Sequence, residues 1–137
     1  MTKGIVLLGA FALLAACGKS EKADETAPDM ATPAAVIASA RPAEFQPCTV
    51  CHTDKKGDPH RLGPNLFGIM GTKAGTHAAG FAYSPGMKEA GFNWDRAKLD
   101  AYLEMPAKVV PGTKMVYPGQ KDPAKRKVII DYLETLR

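Results

Sequence analysis

Cysteine and histidine are scarce in this chain of 137 residues, three of each, and their scarcity narrows the chemistry open to it. A structural zinc site needs four ligands, normally two Cys or His pairs at fixed spacing. Beyond Cys48, Cys51 and His52 only His60 and His77 remain near them, neither close together nor at finger spacing. Runs of β-branched residues are missing after the cysteine pair, and the preceding RPAEFQP is short and flanked by proline. The βαβ framework of a thioredoxin-like redox centre is therefore not indicated. Internal repeats are absent, and no hydrophobic span follows the first sixteen residues. The net charge of +4 is too small an excess to argue for nucleic acid.

The first residues, MTKGIVLLGAFALLAACGKS, carry one basic residue, Lys3, and then an uninterrupted apolar stretch from Gly4 to Ala16. Spanning a bilayer takes about 20 apolar residues, so this stretch is short for a transmembrane helix and fits the hydrophobic region of a signal peptide. It ends in Leu14-Ala15-Ala16-Cys17-Gly18, which resembles a bacterial lipoprotein signal. That resemblance implies cleavage after residue 16 and a lipid anchor on Cys17, several acyl chains exceeding the single chain that binds only marginally. The alternative is ordinary cleavage and a soluble periplasmic product; in both cases the chain is exported. Residues 17–40 are rich in Ala, Pro, Ser, Thr and mixed charge, with Val36 and Ile37 the only large aliphatics. So little apolar surface does not offset the entropy of ordering. The segment reads as a flexible tether with a typical reach of roughly 25 Å. Residues 41–137 form one small domain, near the size at which a protein-only core is marginal.

Within that domain stands CTVCH, residues 48–52. A disulfide between Cys48 and Cys51 closes too small a loop to stabilise much. The spacing C-x-x-C-H is the signature of covalent haem attachment. Cysteines three apart lie on one side of a helical turn, so both sulfurs reach one edge of a porphyrin, and the next residue turns its imidazole to the iron. Cys48 and Cys51 are thus the expected thioether anchors of one haem c and His52 its proximal ligand. The haem also supplies a large apolar disc for a small core to wrap.

A second axial ligand separates an electron carrier from an open, ligand-binding iron. Met70, Met87, Met105 and Met115 are the candidates in the domain, and a methionine is more often core filler. Met115 differs in closing Pro111-Gly112-Thr113-Lys114-Met115, a loop with turn chemistry and no helical period.

From about Phe45 onward the chain resembles the class I c-type cytochromes, in particular the mitochondrial type and its membrane-anchored bacterial relatives. The elements are CHT at 51–53, GPNL at 63–66, GTKAG at 71–75, FAYS at 81–84, Trp94, YLE at 102–104, PGTKM at 111–115 and DYL at 131–133. The resemblance implies a small all-α cytochrome c fold of short helices and loops around the haem, with Met115 as sixth ligand. It implies that Pro64 offers its carbonyl to His52 Nδ1 and so orients the ligand, that His60 ties neighbouring loops, that Tyr83 and Trp94 donate to a haem propionate, and that Tyr102 and Thr113 form a network near Met115.

Three features depart from the family pattern. Thr72 followed by Lys73 stands where an arginine often supports a propionate, which suggests a lower reduction potential. The segment between Gly75 and Phe81 is one residue longer, which makes His77 an exposed loop residue. The first helix is short, with Pro47 directly before Cys48.

Local signals outline the helices. The first is expected from about Pro42 to the haem motif. Ser84-Pro85 starts a short one that stops at Gly91, and Asn93 caps another that bears Leu99, Tyr102 and Leu103 and ends before Pro106. The last begins at Asp122-Pro123 and sets Ile129, Tyr132, Leu133 and Leu136 on one face, against Phe45.

The expected protein is a membrane-tethered, monomeric carrier of single electrons, not an enzyme, on the periplasmic side of a bacterial membrane, the inner one favoured. It runs from a quinol-oxidising cytochrome complex to a terminal oxidase, meeting acidic partners through Lys73, Lys114 and Lys121. A dehydrogenase or reductase partner fits equally well. The rivals are a peroxidase or ligand-sensing haem protein, in which Met115 is off the iron, and a zinc-binding module.

Overall fold

The computed structural model describes residues 40–137. The signal-peptide reading of 1–16, Cys17 and nearly all of the 17–40 tether lie outside the described residues. Among those described there are helices and no strands, the one ladder element being an isolated antiparallel bridge between Lys73 and Asn93. None of these helices is long and apolar enough to cross a membrane.

The first helix, expected from about Pro42 to the haem motif, is a 3-10 helix, Ala43–Val50. Pro47 lies inside it. Proline has no N–H to give to the fourth residue back and its ring crowds that carbonyl, so the segment takes the tighter winding. Four α-helices follow: α1 (Pro85–Glu89), α2 (Arg96–Glu104), α3 (Pro106–Val109) and α4 (Pro123–Thr135). Three of the starts share one device, a capping side chain outside the helix, joined in two cases by a first-turn proline. Ser84 accepts from Met87 N–H at α1, Asp95 from Lys98 N–H at α2, and Asp122 from Ala124 N–H at α4. The α2 cap is Asp95 rather than the expected Asn93, because Asn93 is held in the bridge to Lys73. Pro106 ends α2 as expected, then opens the single turn of α3.

The core is one cluster in which Phe45, Trp94, Leu99, Tyr102, Leu103, Val110, Ile129, Ile130 and Leu133 are buried. Phe45 and Tyr132 meet edge to face at 4.8 Å, and this joins the 3-10 helix to α4. Leu136 falls just past α4 and packs against the cluster half-buried.

Two polar anchors brace the framework. Arg126 on α4 is buried, and all three of its guanidinium nitrogens donate: Nε and Nη2 to Asp100 of α2 at 2.7 and 3.2 Å, and Nη1 to the carbonyls of Gln120 and Lys121 at 2.9 and 3.0 Å. The 116–122 segment is thereby pinned to the end of α2, where Gln120 N–H also donates to Leu103 O. The second anchor is a clasp at the chain's entry. Arg41 reaches both carboxylate oxygens of buried Asp54 at 2.7 and 2.6 Å, and the Tyr132 hydroxyl donates to the same carboxylate at 2.7 Å. With the first helix short, this clasp fastens the segment before it to the residues after CTVCH and to α4 together.

Candidate functional site

Cys48 directly follows Pro47 in the 3-10 helix, and both Cys51 N–H and His52 N–H donate to Cys48 O, at 3.1 and 2.9 Å. Neither cysteine is in a disulfide, and both are half-buried. Burial pushes the Cys48 thiol up to about 11. Two cysteines on one turn fit thioether attachment, and the raised Cys48 thiol is not the depressed thiol that a reactive dithiol centre needs.

The ring of His52 is fixed from two sides. Its Nδ1 pairs with Pro64 O at 2.7 Å, which assigns the proton to Nδ1 and leaves Nε2 with a lone pair. Behind it sits buried Gly63, where a Cβ would overlap the ring at Cε1 and come within 2.6 Å of Nδ1. Gly63 is not in the left-handed region, so it is there for space. Desolvation lowers the imidazole's pKa from its usual value, opposed by the Pro64 bond. A neutral ring is the form that ligates a metal.

Gly63 N–H donates to Cys51 O and Leu66 N–H to Thr53 O, both at 2.8 Å, which locks the 63–66 segment along the haem motif. Asn65 steadies it further, its side-chain amide donating to Lys55 O and Asp58 O. His60 receives Asn65 N–H on Nδ1 at 3.2 Å and donates from Nε2 to Ala79 O at 3.0 Å, tying two loops. His77 is not the exposed residue expected: it is half-buried, and desolvation lowers its pKa.

On the other side, α2 presents Tyr102, whose hydroxyl pairs with Thr113 Oγ1 at 2.9 Å. Thr113 Oγ1 in turn accepts Met115 N–H at 3.2 Å. Burial raises the Tyr102 pKa and the Thr113 bond opposes the shift. Met115, Tyr117 and Cys48 pack on the same core cluster. Trp94 is 4% exposed and meets Tyr102 edge to face at 5.0 Å. Its backbone is held by pairing on both sides, to Gly71 and Thr72. Tyr83 belongs to a different aromatic group with Phe81 and His60, and its hydroxyl accepts Ala78 N–H at 3.0 Å, which leaves its own proton to give. Thr72 spends its hydroxyl on Ile69 O. Among the described residues no three His, Cys, Asp or Glu side chains gather as a metal cluster, so the four ligands of a zinc module do not assemble here.

This arrangement can be set beside known proteins. No family model matches the chain. Cytochrome c of Ginkgo biloba is 48% identical over 87 residues, 64% of this chain and 76% of that protein. Cytochrome c2 of Rhodopila globiformis is 49% identical over 90 residues, 66% of this chain and 83% of that protein. The chain belongs to the class I c-type cytochromes. The solved structure of cytochrome cH from Methylobacterium extorquens agrees, with a TM-score of 0.64 at 47% identity over 67% of this chain and 91% of that one.

As a member of that family this cytochrome carries one covalent haem c through Cys48 and Cys51, and it is an electron-transfer protein rather than an enzyme. The thiols, the oriented imidazole and the ring-sized space made by Gly63 fit that group. Three contributors were not apparent from sequence: Gly63 as the seat of the His52 ring, the Arg41–Asp54–Tyr132 clasp, and Gly86, treated below. All depend on contacts between distant residues, and only the GPNL motif pointed towards one of them.

Proposed function

We propose that this cytochrome is a lipid-tethered carrier whose haem is closed on both faces, with His52 and Met115 as axial ligands. Haem c held in this way supplies a one-electron couple, and His/Met ligation sets it at a relatively high potential. The residues around it keep that couple isolated. Pro64 holds the His52 proton on Nδ1, so Nε2 stays available. Tyr102 and Thr113 hold the backbone at Met115, so its thioether is presented in one direction. Tyr83 and Trp94 each have a proton to donate to a propionate. The single observation that carries the reading is the Tyr102–Thr113–Met115 chain of hydrogen bonds, at 2.9 and 3.2 Å, which fixes a methionine in an otherwise irregular loop.

The wider setting follows from the sequence. Residues 1–16 serve as a signal peptide, Cys17 carries the lipid, 17–40 is the tether and 41–137 the redox domain. The monomeric domain works on the periplasmic side of the membrane, the inner one favoured, between a quinol-oxidising cytochrome complex and a terminal oxidase. Lys73 and Lys114 are exposed and available to acidic partners. Lys121 is committed to Glu104 O at 2.9 Å, at the C-terminal end of α2, and contributes less.

Met115→Ala tests the ligand assignment. The oxidised parent should show the weak long-wavelength band of methionine-to-iron ligation and bind cyanide slowly. The variant should lose the band and bind cyanide at least about tenfold faster, as expected when the binding-competent state no longer has to be populated. A parent without the band, or a variant that keeps it, removes Met115 from the iron.

A further inference from the structure

Eight of the ten glycines in the described residues adopt positive φ; Gly63 and Gly86 do not. Glycine at these two positions is therefore a matter of space. Gly63 makes room for the His52 ring. Gly86 makes room on the opposite ligand's side: a Cβ there would overlap the carbonyl oxygen of Pro111, lie 3.3 Å from Pro111 C and touch Val110 Cγ1 at 3.7 Å. The obstacle is backbone, which cannot swing aside as a side chain can. Gly86 also lies inside α1, where glycine costs helix stability relative to alanine, so its presence needs a compensating contact.

The other flank of α1 is equally close to backbone. A Cβ on Gly75 would come within 2.7 Å of Met87 O and of Lys88 Cα. Thus α1 is wedged between the Gly75 turn and Pro111 with only backbone thickness to spare. Pro111 opens the Met115 loop. Thr113 N–H donates to Val110 O at 3.1 Å, and Thr113 Oγ1 then holds Met115 N–H. The geometry points to Gly86 as a positioning residue for this loop: α1 is a strut that sets, through Pro111, where Met115 is presented, while Tyr102 holds the loop from α2. This inference rests on Met115 being the sixth ligand.

The test uses the full haem-loaded chain and two readouts, the rate of cyanide binding to the oxidised protein and the midpoint of global unfolding. Gly86→Ala should bind cyanide about tenfold faster than the parent, because displacing the loop raises the fraction with the iron position open. Ser84→Ala, which removes the α1 cap without adding any atom near the loop, should act in the same direction by a smaller factor. Ile129→Val trims the core on α4 and should lower the unfolding midpoint while leaving cyanide binding within about twofold. A parental cyanide rate in Gly86→Ala overturns the inference, as does an Ile129→Val protein that accelerates as much as Gly86→Ala. If Gly86→Ala fails to fold, an unchanged rate in Ser84→Ala overturns it. Rapid binding by the unmodified protein, indifferent to Met115→Ala, sinks the ligand reading and this inference with it. A slow parent with no effect at position 86 sinks this inference alone.

Discussion

At the scale of single residues, a methyl group is the sharpest probe of the proximal side. In Gly63→Ala the new carbon falls on the His52 ring, so either the ring turns and loses its bond to Pro64 or the 63–66 segment moves away from the haem motif. Overpacking of this kind costs about 1–3 kcal/mol. Denaturant unfolding of the haem-loaded variant should show that loss, and an unchanged midpoint would mean the segment yields freely. His77 gives a pH dependence. Its native pKa is lowered from 6.5, chiefly by desolvation, so below that ordinary value the unfolded chain takes up a proton that the native state resists. Stability should therefore fall as pH drops from about 6.5 towards the depressed native value. The depressed carboxylates of Asp54, Asp100 and Asp131 lose their contributions further down, as pH falls through still lower values. Thermal midpoints of parent and His77→Gln, compared between neutral and mildly acidic pH, should fall further for the parent on acidification if His77 is the source; parallel curves would exclude it.

At the scale of elements, what was legible was local. Ser84-Pro85 and Asp122-Pro123 announce helix starts because cap and first-turn proline act within three residues, and both helices begin there. Asn93 was the expected cap of α2, but it is held in a bridge to Lys73, twenty residues away, and Asp95 caps the helix instead. Pro47 was visible, yet its consequence, a 3-10 winding from Ala43 into the haem motif, was not expected. The clasp was illegible for a similar reason: Asp54 meets Arg41 thirteen residues before it and Tyr132 seventy-eight after. Its energetics are testable. Arg41 holds the Asp54 carboxyl below its usual range, with the Tyr132 hydroxyl assisting against desolvation. Tyr132→Phe keeps the edge-to-face packing on Phe45 and removes one bond to a buried carboxylate, which should cost about 1–3 kcal/mol. A cost near zero would show that Arg41 alone suffices.

At the scale of the whole molecule, the helices and their polar anchors serve to bring two irregular segments, 48–66 and 111–115, against one core. The haem motif and the family elements were readable because their spacing encodes the chemistry. The steric need for Gly63 and Gly86 was not, because close approaches between residues 11 and 25 apart leave no mark in composition. Arg126 and the clasp hold the α4 end, α1 and Tyr102 the Met115 loop, and Gly63 and Pro64 the ring of His52. Such a frame suits a centre that changes charge by one electron while its ligands stay in place. The most direct measurement is a spectroelectrochemical titration of the haem-loaded protein, with and without carbon monoxide. The account predicts one reversible wave with a one-electron slope of about 59 mV per decade, unshifted by carbon monoxide. A second wave, or a potential that rises when carbon monoxide is added, would mean an iron open to exogenous ligands and would contradict it.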